Sequence, residues 1–283
     1  MTTRPLPSAP LTSARSRRVA AARRLTQRSA RQQARRFLVE GPQAVAAALE
    51  LAAAGHADLV TELFVTPAAR ERHPDLLAVA RDAAVSVVPV TPAVLASMAE
   101  TVTPQGIVAV ARFLDVGLEQ VLAGQPRLVA VLAAVRDPGN AGTVLRCADA
   151  AGADAVVLTT DSVDVYNGKC VRASAGSLFH LPVVRSVEPT VAVTQLRQAG
   201  LRVLAAAGGG PTDLDDLADA GGLTGPTGWL FGNEAWGLSG RLTALSDDVV
   251  RVPIHGRAES LNLATAAGVC LYASARAHRD HGR

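Results

Sequence analysis

The stretch Val135-Arg136-Asp137-Pro138-Gly139-Asn140-Ala141-Gly142-Thr143-Val144-Leu145-Arg146-Cys147-Ala148-Asp149-Ala150-Ala151-Gly152-Ala153 decides how the rest of the chain is read. An apolar run, Leu128 to Val135, leads into it and reads as a buried strand. A polar turn follows at Asp137–Asn140, where Asn140 can cap a helix with apolar positions at Val144, Leu145 and Ala148. Strand, tight turn and helix start are a common way to build a ligand site in α/β proteins. Arg146 is unusual here, because it falls in a helix that otherwise reads as buried. An unpaired buried charge is costly, so Arg146 needs a partner. A structural carboxylate, a substrate phosphate or a reacting oxygen would each serve.

The same pattern recurs on the C-terminal side. Further strands are expected at Ala155–Leu158, Arg202–Ala207, Trp229–Gly232 and Val249–Pro253. Helices are expected near residues 141–152, 170–179, 191–199, 238–245 and 260–277. These strands are continuous apolar runs, which indicates a parallel sheet covered on both faces. On the N-terminal side, residues 15–35 read as one helix rich in Arg, Ala and Gln, and Arg36–Val39 as a strand. Strands at Leu59–Val65, Val85–Val90 and Gln105–Phe113 alternate with helices at residues 43–54 and 73–84 and a short one opened by Thr91-Pro92. Pro89 points to a sheet edge. The expected organisation is a disordered tail at 1–14, a small α/β domain at 15–113, a linker at 114–127 and a second α/β domain at 128–283.

Composition narrows the function classes. The 283 residues are 49% apolar but only 3% aromatic, so the core is built of Ala, Val and Leu. The longest apolar runs are about eight residues, against the ~20 needed to cross a bilayer. No apolar segment at the start resembles a secretory signal. Cys147, Cys170 and Cys270 fit neither a zinc site nor a disulfide framework, so the expectation is a cytoplasmic protein without a metal. Residues 1–40 carry ten Arg against a single acid, Glu40, whereas the other 243 residues hold eighteen basic and twenty-four acidic side chains, a net of −6. Such an arm is the footprint of a polyanion partner, and Arg17, Arg18, Arg23 and Arg24 are its candidate contacts. Its removal over residues 1–36 is expected to weaken binding of that partner and flatten the salt dependence.

Three further polar stretches interrupt the second domain: Leu230–Leu238 with Gly232 and Glu234, Val252–Leu263 with Ser260 as candidate N-cap and Asn262 in the first turn, and Tyr166–Phe179 with Lys169, Arg172 and Ser174. The last three are side chains of the kind that contact phosphate. Glu234 can hold a hydroxyl or a cation, cap the following helix or pair with Arg146. Gly139–Gly142 is not a dinucleotide-binding fingerprint, Gly208-Gly209-Gly210 is not a P-loop, and neither a metalloprotease helix nor a serine nucleophile elbow is present. His255 is a lone loop histidine.

In order and spacing, four motifs resemble those of the SpoU-type (TrmH-like) RNA 2′-O-methyltransferases of the SPOUT superfamily. They are N-x-G-x-x-x-R at Asn140–Arg146, R-A-S-x-G-S-x-F at Arg172–Phe179, F-G-N-E-x-x-G-L at Phe231–Leu238 and V-P-I-x-G-x-x-x-S-L-N-x-A at Val252–Ala264. Together they cover residues 127–277. The first ~110 residues resemble, more loosely, the L30e-type RNA-binding domain often fused in front.

The resemblance implies a SPOUT domain whose parallel sheet carries a deep trefoil knot, S-adenosylmethionine as methyl donor, a homodimer, and RNA, ribosomal in preference to transfer RNA, as substrate. It implies donor binding mainly by backbone groups at Gly232, Val252, Ile254, Leu261 and Asn262. It implies a catalytic group of Arg146, Asn140, Glu234, Ser260 and Asn262. Guanidinium hardly ever deprotonates, so Arg146 is expected to bind a phosphate and stabilise the developing alkoxide.

Overall fold

A computed structural model describes residues 9–280, residue 280 by its backbone alone. In chain order the elements are α1 (Arg17–Arg24), α2 (Arg28–Ala34), β1 (Arg36–Glu40), α3 (Pro42–Ala53), β2 (Val60–Val65), α4 (Pro67–Arg72), α5 (Pro74–Asp82), β3 (Ser86–Pro89), α6 (Pro92–Ala96) and β4 (Ile107–Arg112). There follow α7 (Leu118–Ala123), β5 (Leu128–Leu132), α8 (Pro138–Ala150), β6 (Ala155–Thr159), α9 (Gly168–Ala173), a 3-10 turn (Ser177–Phe179), β7 (Val183–Val187) and α10 (Pro189–Gln198). The chain ends with β8 (Arg202–Ala206), β9 (Thr212–Asp213), α11 (Leu214–Asp219), β10 (Thr227–Phe231), α12 (Gly240–Leu245), β11 (Asp248–Arg251) and α13 (Leu263–Asp280). A side-chain cap followed by proline starts four of the helices: Thr66-Pro67, Thr91-Pro92, Asp137-Pro138 and Glu188-Pro189. The cap satisfies an orphan N–H, and proline fixes the helical φ where no N–H is needed.

The chain divides into two compact units, Met1–Leu114 with Tyr166–His180 and Asp115–Val165 with Leu181–Arg283. The first has a four-stranded sheet in the order β1-β4-β2-β3, with β4 antiparallel to both neighbours and β3, carrying Pro89, parallel to β2 at the edge. Val19, Ala22 and Leu25 share a buried cluster with Leu38, Phe64, Val108 and Val110, so the apolar side of the arginine-rich arm is core. The expected single helix over 15–35 breaks into α1 and α2. Buried Arg31 holds the break, donating from one guanidinium nitrogen to Leu25 O (3.0 Å) and Thr26 O (2.8 Å), carbonyls left orphaned at the end of α1.

Two boundary expectations change. Residues 1–8 of the expected tail lie outside the described residues, but Leu11 bridges in parallel to Val90, donating to Pro89 O at 2.9 Å, and packs on the buried cluster. Tyr166–His180 folds with the first unit although its flanks belong to the second. The reason is aromatic packing in a chain otherwise short of it. Tyr166 lies 3.9 Å from Phe113 and 4.5 Å from Phe37 between ring centroids, its hydroxyl accepts from Leu114 N at 2.8 Å, and Phe179 stacks near Phe37.

The second unit is a purely parallel seven-stranded sheet in the order β7-β6-β5-β10-β8-β11-β9. Sequence patterning missed β7 and β9. It also took residues 114–127 for a linker, yet they contain α7, whose Leu118 and Val121 are buried in this unit's core. The winding direction changes at β5 and β10, which lie side by side with Leu132 opposite Phe231. In open parallel sheets the crevice beyond such a switch point is where ligands bind.

Candidate active site

Two loops meet beyond the switch point because their parent strands are neighbours. Ala133 N donates to Phe231 O at 2.8 Å, and Ala134 then turns the chain with φ of +54°, a left-handed conformation that costs an alanine about 1–2 kcal/mol. It is held there by Thr159 Oγ1, which accepts from Ala134 N (3.1 Å), and by the Asn233 side-chain amide, which donates to Ala134 O (2.7 Å). Glu234 follows on the second loop. Its carboxylate accepts from Arg136 N (3.3 Å), Asp137 N (3.2 Å) and Asn140 Nδ2 (3.1 Å), so it sits over the start of α8. Asn140 is not the cap expected of it. Asp137 caps α8, accepting from Asn140 N at 2.8 Å, which leaves the Asn140 side chain free to face Glu234.

A third loop completes the group. Helix α13 packs on α8 and is pinned to β10 by the buried Trp229 indole, which donates to Ser274 Oγ at 2.9 Å. Its first turn therefore faces that of α8, and Asn262 Nδ2 donates to Asn140 Oδ1 at 3.1 Å. Asn262 is also the N-cap, accepting from Ala264 N (2.9 Å) and Thr265 N (3.3 Å). Ser260, expected to cap, is exposed two residues earlier, without a hydrogen bond among the described residues. The result is a continuous hydrogen-bonded array, Glu234–Asn140–Asn262.

Arg146 departs from expectation. The buried stripe of α8 is Ala141, Val144, Leu145 and Ala148, and Arg146 falls on the opposite side, exposed. Thr143, one i, i+3 step before it, is exposed beside it. Among the described residues it forms no hydrogen bond or ion pair, so neither Glu234 nor any other carboxylate holds it. The neighbouring Cys147 thiol is pushed up by burial, partly countered by the Arg146 charge, and stays protonated at neutral pH. Burial pushes Cys270 up to about 12.

Desolvation alone would raise the Glu234 carboxyl, but hydrogen bonds from the Asn140 amide and from backbone N–H groups outweigh it and hold it below the usual carboxylate range. Glu234 is therefore an anion that organises loops and a poor proton acceptor at neutral pH. A carboxyl depressed in the folded state contributes stability above its unfolded value, ~4.3, and loses it as pH falls through the folded value. Glu234→Gln should lower the melting temperature on the order of 2 °C from pH 5 to 8, and the gap should close in thermal melts as pH falls through the depressed folded value.

The expected donor-binding residues fall on two adjoining loops. Gly232 is buried, and a Cβ there would lie 2.6 Å from Gly237 O and Leu238 N, so only glycine allows this loop to fold back on itself. Val252 and Leu261 are half-buried and Ile254 is exposed. Among the described residues, no backbone N–H over 254–261 donates a hydrogen bond. Apolar walls with unused backbone donors suit an adenosyl group, so these residues fit S-adenosylmethionine.

In the first unit Arg17, Arg23 and Arg24 are exposed, whereas Arg18 is held by Glu62 and Ser86. Two of the three expected phosphate contacts on the Tyr166–Phe179 stretch are otherwise engaged. Arg172 pairs with Glu40 (3.1 Å) and Glu100 (3.6 Å), satisfying the buried Glu40 carboxylate, and Ser174 is fully buried with its hydroxyl donating to Val171 O. Lys169 is exposed. Sequence reading missed Arg112, which stands directly opposite Arg36 in the β1–β4 ladder, both exposed on the sheet face that α1 packs against. Like charges directly opposite are unfavourable, and an anion would offset that cost. Only strand register reveals the pair.

Two family descriptions match the chain: the SpoU rRNA Methylase family over residues 127–272, and an MRM3-like substrate binding domain over residues 16–109. The 23S rRNA (guanosine(2553)-2′-O)-methyltransferase RlmP of Bacillus subtilis is 34% identical over 92% of this chain and 96% of its own. Among solved structures, an AdoMet-bound rRNA methyltransferase from Sinorhizobium meliloti superposes with a TM-score of 0.80 at 30% identity, covering 95% of this chain and 97% of that one. The SpoU methyltransferase AviRb from Streptomyces viridochromogenes, in complex with AdoMet, gives 0.78 at 31% identity over 95% of this chain and all of its own.

Proposed function

Because the chain belongs to the SpoU rRNA methylase family, we infer that it is an S-adenosylmethionine-dependent 2′-O-ribose methyltransferase acting on 23S ribosomal RNA. The single observation that carries the residue assignment is Arg146, exposed and without a hydrogen bond or ion pair among the described residues, on the same helix α8 whose first turn holds the Glu234–Asn140–Asn262 array. S-adenosylmethionine supplies a methyl group already activated on sulfonium, so positioning is a large part of the catalysis. Gly232, Val252, Ile254, Leu261 and Asn262 hold it through backbone donors and apolar contact.

Arg146 keeps its charge, binds a phosphate next to the target ribose and stabilises the 2′-oxygen as its proton leaves. Asn140, Glu234 and Asn262 fix the loops around it, and Ser260, exposed at the loop end, is free to meet RNA or donor. The arm arginines, with Arg36 and Arg112, select RNA electrostatically.

The family's trefoil knot and homodimer are part of this reading. Exposed Val269 and Tyr272 on α13 supply apolar surface for a second copy. No helix among the described residues is long and apolar enough to cross a membrane, and the proposed site of action is the cytoplasm, where ribosomal RNA is found.

Calorimetric titration with S-adenosylmethionine tests the cofactor assignment. One site per chain is expected, and a chain that gives no binding isotherm contradicts it.

A further inference from the structure

The chain has two tryptophans of opposite character: Trp229 is fully buried, and Trp236 is 60% exposed. Exposure of so large a ring is uncommon in a chain with so few aromatics, and this ring is not on a loose loop. Asn233 and Gly237 exchange backbone hydrogen bonds of 3.0 and 2.9 Å, and Gly237 adopts φ of +69° to close the turn. The buried Asn233 side chain fixes the turn from beneath, donating to Ala134 O at 2.7 Å and accepting from Ala235 N at 2.8 Å. Trp236 is thus carried two residues beyond Glu234 on the rigid loop that contacts Asn140.

The Arg136 guanidinium carbon lies 5.0 Å from the Trp236 ring centroid, and the Arg136 backbone amide donates to Glu234. The Arg136 guanidinium makes no ion pair among the described residues. A fixed, solvent-facing indole with a cation on one side is the recurring chemistry of single-stranded nucleic-acid recognition. Every base offers a π-face, and the guanidinium adds attraction for the phosphates on either side.

We propose that Trp236, steadied by Arg136, is a stacking platform for an unpaired nucleobase of the RNA substrate, and so positions the ribose at the Arg146 face. The proposal rests on the methyltransferase reading. It makes Trp236 a positioning residue, acting on RNA affinity more than on the chemical step.

The test uses the intact protein, an adenine oligoribonucleotide and an abasic ribose-phosphate oligomer of equal length. Intrinsic fluorescence should be quenched by the adenine oligomer and little affected by the abasic one, and Trp236→Phe should remove the quenching, because Trp229 is shielded. Trp236→Ala should raise the RNA Kd and KM by about fivefold to a hundredfold with kcat changed far less, and Trp236→Phe should restore most of the affinity. S-adenosylmethionine affinity should be unchanged in both variants.

Equal quenching by the abasic oligomer, or a Trp236→Ala protein with wild-type RNA affinity, overturns the platform. So does a Trp236→Ala protein that loses only its oligomeric state, since the ring would then belong to a subunit contact. Failure of the methyltransferase reading is distinguishable, because the wild-type protein itself would then neither bind S-adenosylmethionine nor methylate RNA.

Discussion

Replacing Arg146 with alanine abolishes methyl transfer while S-adenosylmethionine binding and thermal stability stay near wild type. The expectation follows from what Arg146 does not do. It forms no hydrogen bond or ion pair among the described residues and lies outside the buried stripe of α8, so its removal should cost no more than ~0.5 kcal/mol of stability. In the proposed function its role is reserved for RNA. Removing one donor aimed at a developing oxyanion costs about 10²–10³ in kcat, and loss of the neighbouring phosphate contact adds to this. Arg146→Lys keeps the charge but loses the planar fork, and should recover only part of the rate. An alanine variant that transfers methyl groups at the wild-type rate excludes Arg146 from the reaction. One that melts early assigns it a structural role.

Neutralising Arg17, Arg23, Arg24 and Arg28 together, each to glutamine, should weaken RNA binding strongly at low salt and by much less at high salt. All four are exposed, and none has a hydrogen bond or ion pair from its side chain among the described residues. Each phosphate contact removed lowers the slope of log K against log salt by ~0.7 to 0.9, so four contacts would flatten it by roughly 3. Deleting residues 1–36 cannot make this point cleanly. The arm also supplies Val19, Ala22 and Leu25 to the buried cluster and Arg31 to the α1 break, so deletion removes charge and core together. The glutamine variant should keep its melting temperature, and filter binding across a salt series reads the slope. An unchanged slope assigns the arm to the core alone.

Much of the second unit was legible because a parallel strand buried on both faces is a continuous apolar run: Leu128–Val135 and Trp229–Gly232 read as strands, and the strands observed there are Leu128–Leu132 and Thr227–Phe231. β7 was missed because Arg185 and Ser186 interrupt its pattern, and β9 because two residues carry no period. The identities of the site residues were legible as motifs, but their physical roles depend on geometry that spacing does not contain. Asn140 and Asp137 are both good caps, and only the turn geometry gives the cap to Asp137 and releases Asn140 to Glu234. The same competition moved the α13 cap from Ser260 to Asn262. Arg146 read as buried because its neighbours are apolar, yet one residue is 100° around a helix, enough to carry it from the core stripe beside Leu145 to solvent. The placement of Tyr166–His180 with the first unit rests on contacts distant in sequence, Phe37 and Glu40 among them, which no local pattern encodes.

The most direct test of the central claim is methyl transfer itself. Purified protein, S-adenosylmethionine labelled in its methyl group and unmodified 23S ribosomal RNA are combined, and the RNA is digested to nucleosides. The label should appear in a single 2′-O-methylated nucleoside from 23S RNA, and should vanish with the Arg146→Ala protein. Label found only on a base, or none on RNA from a protein that binds the donor, contradicts the account.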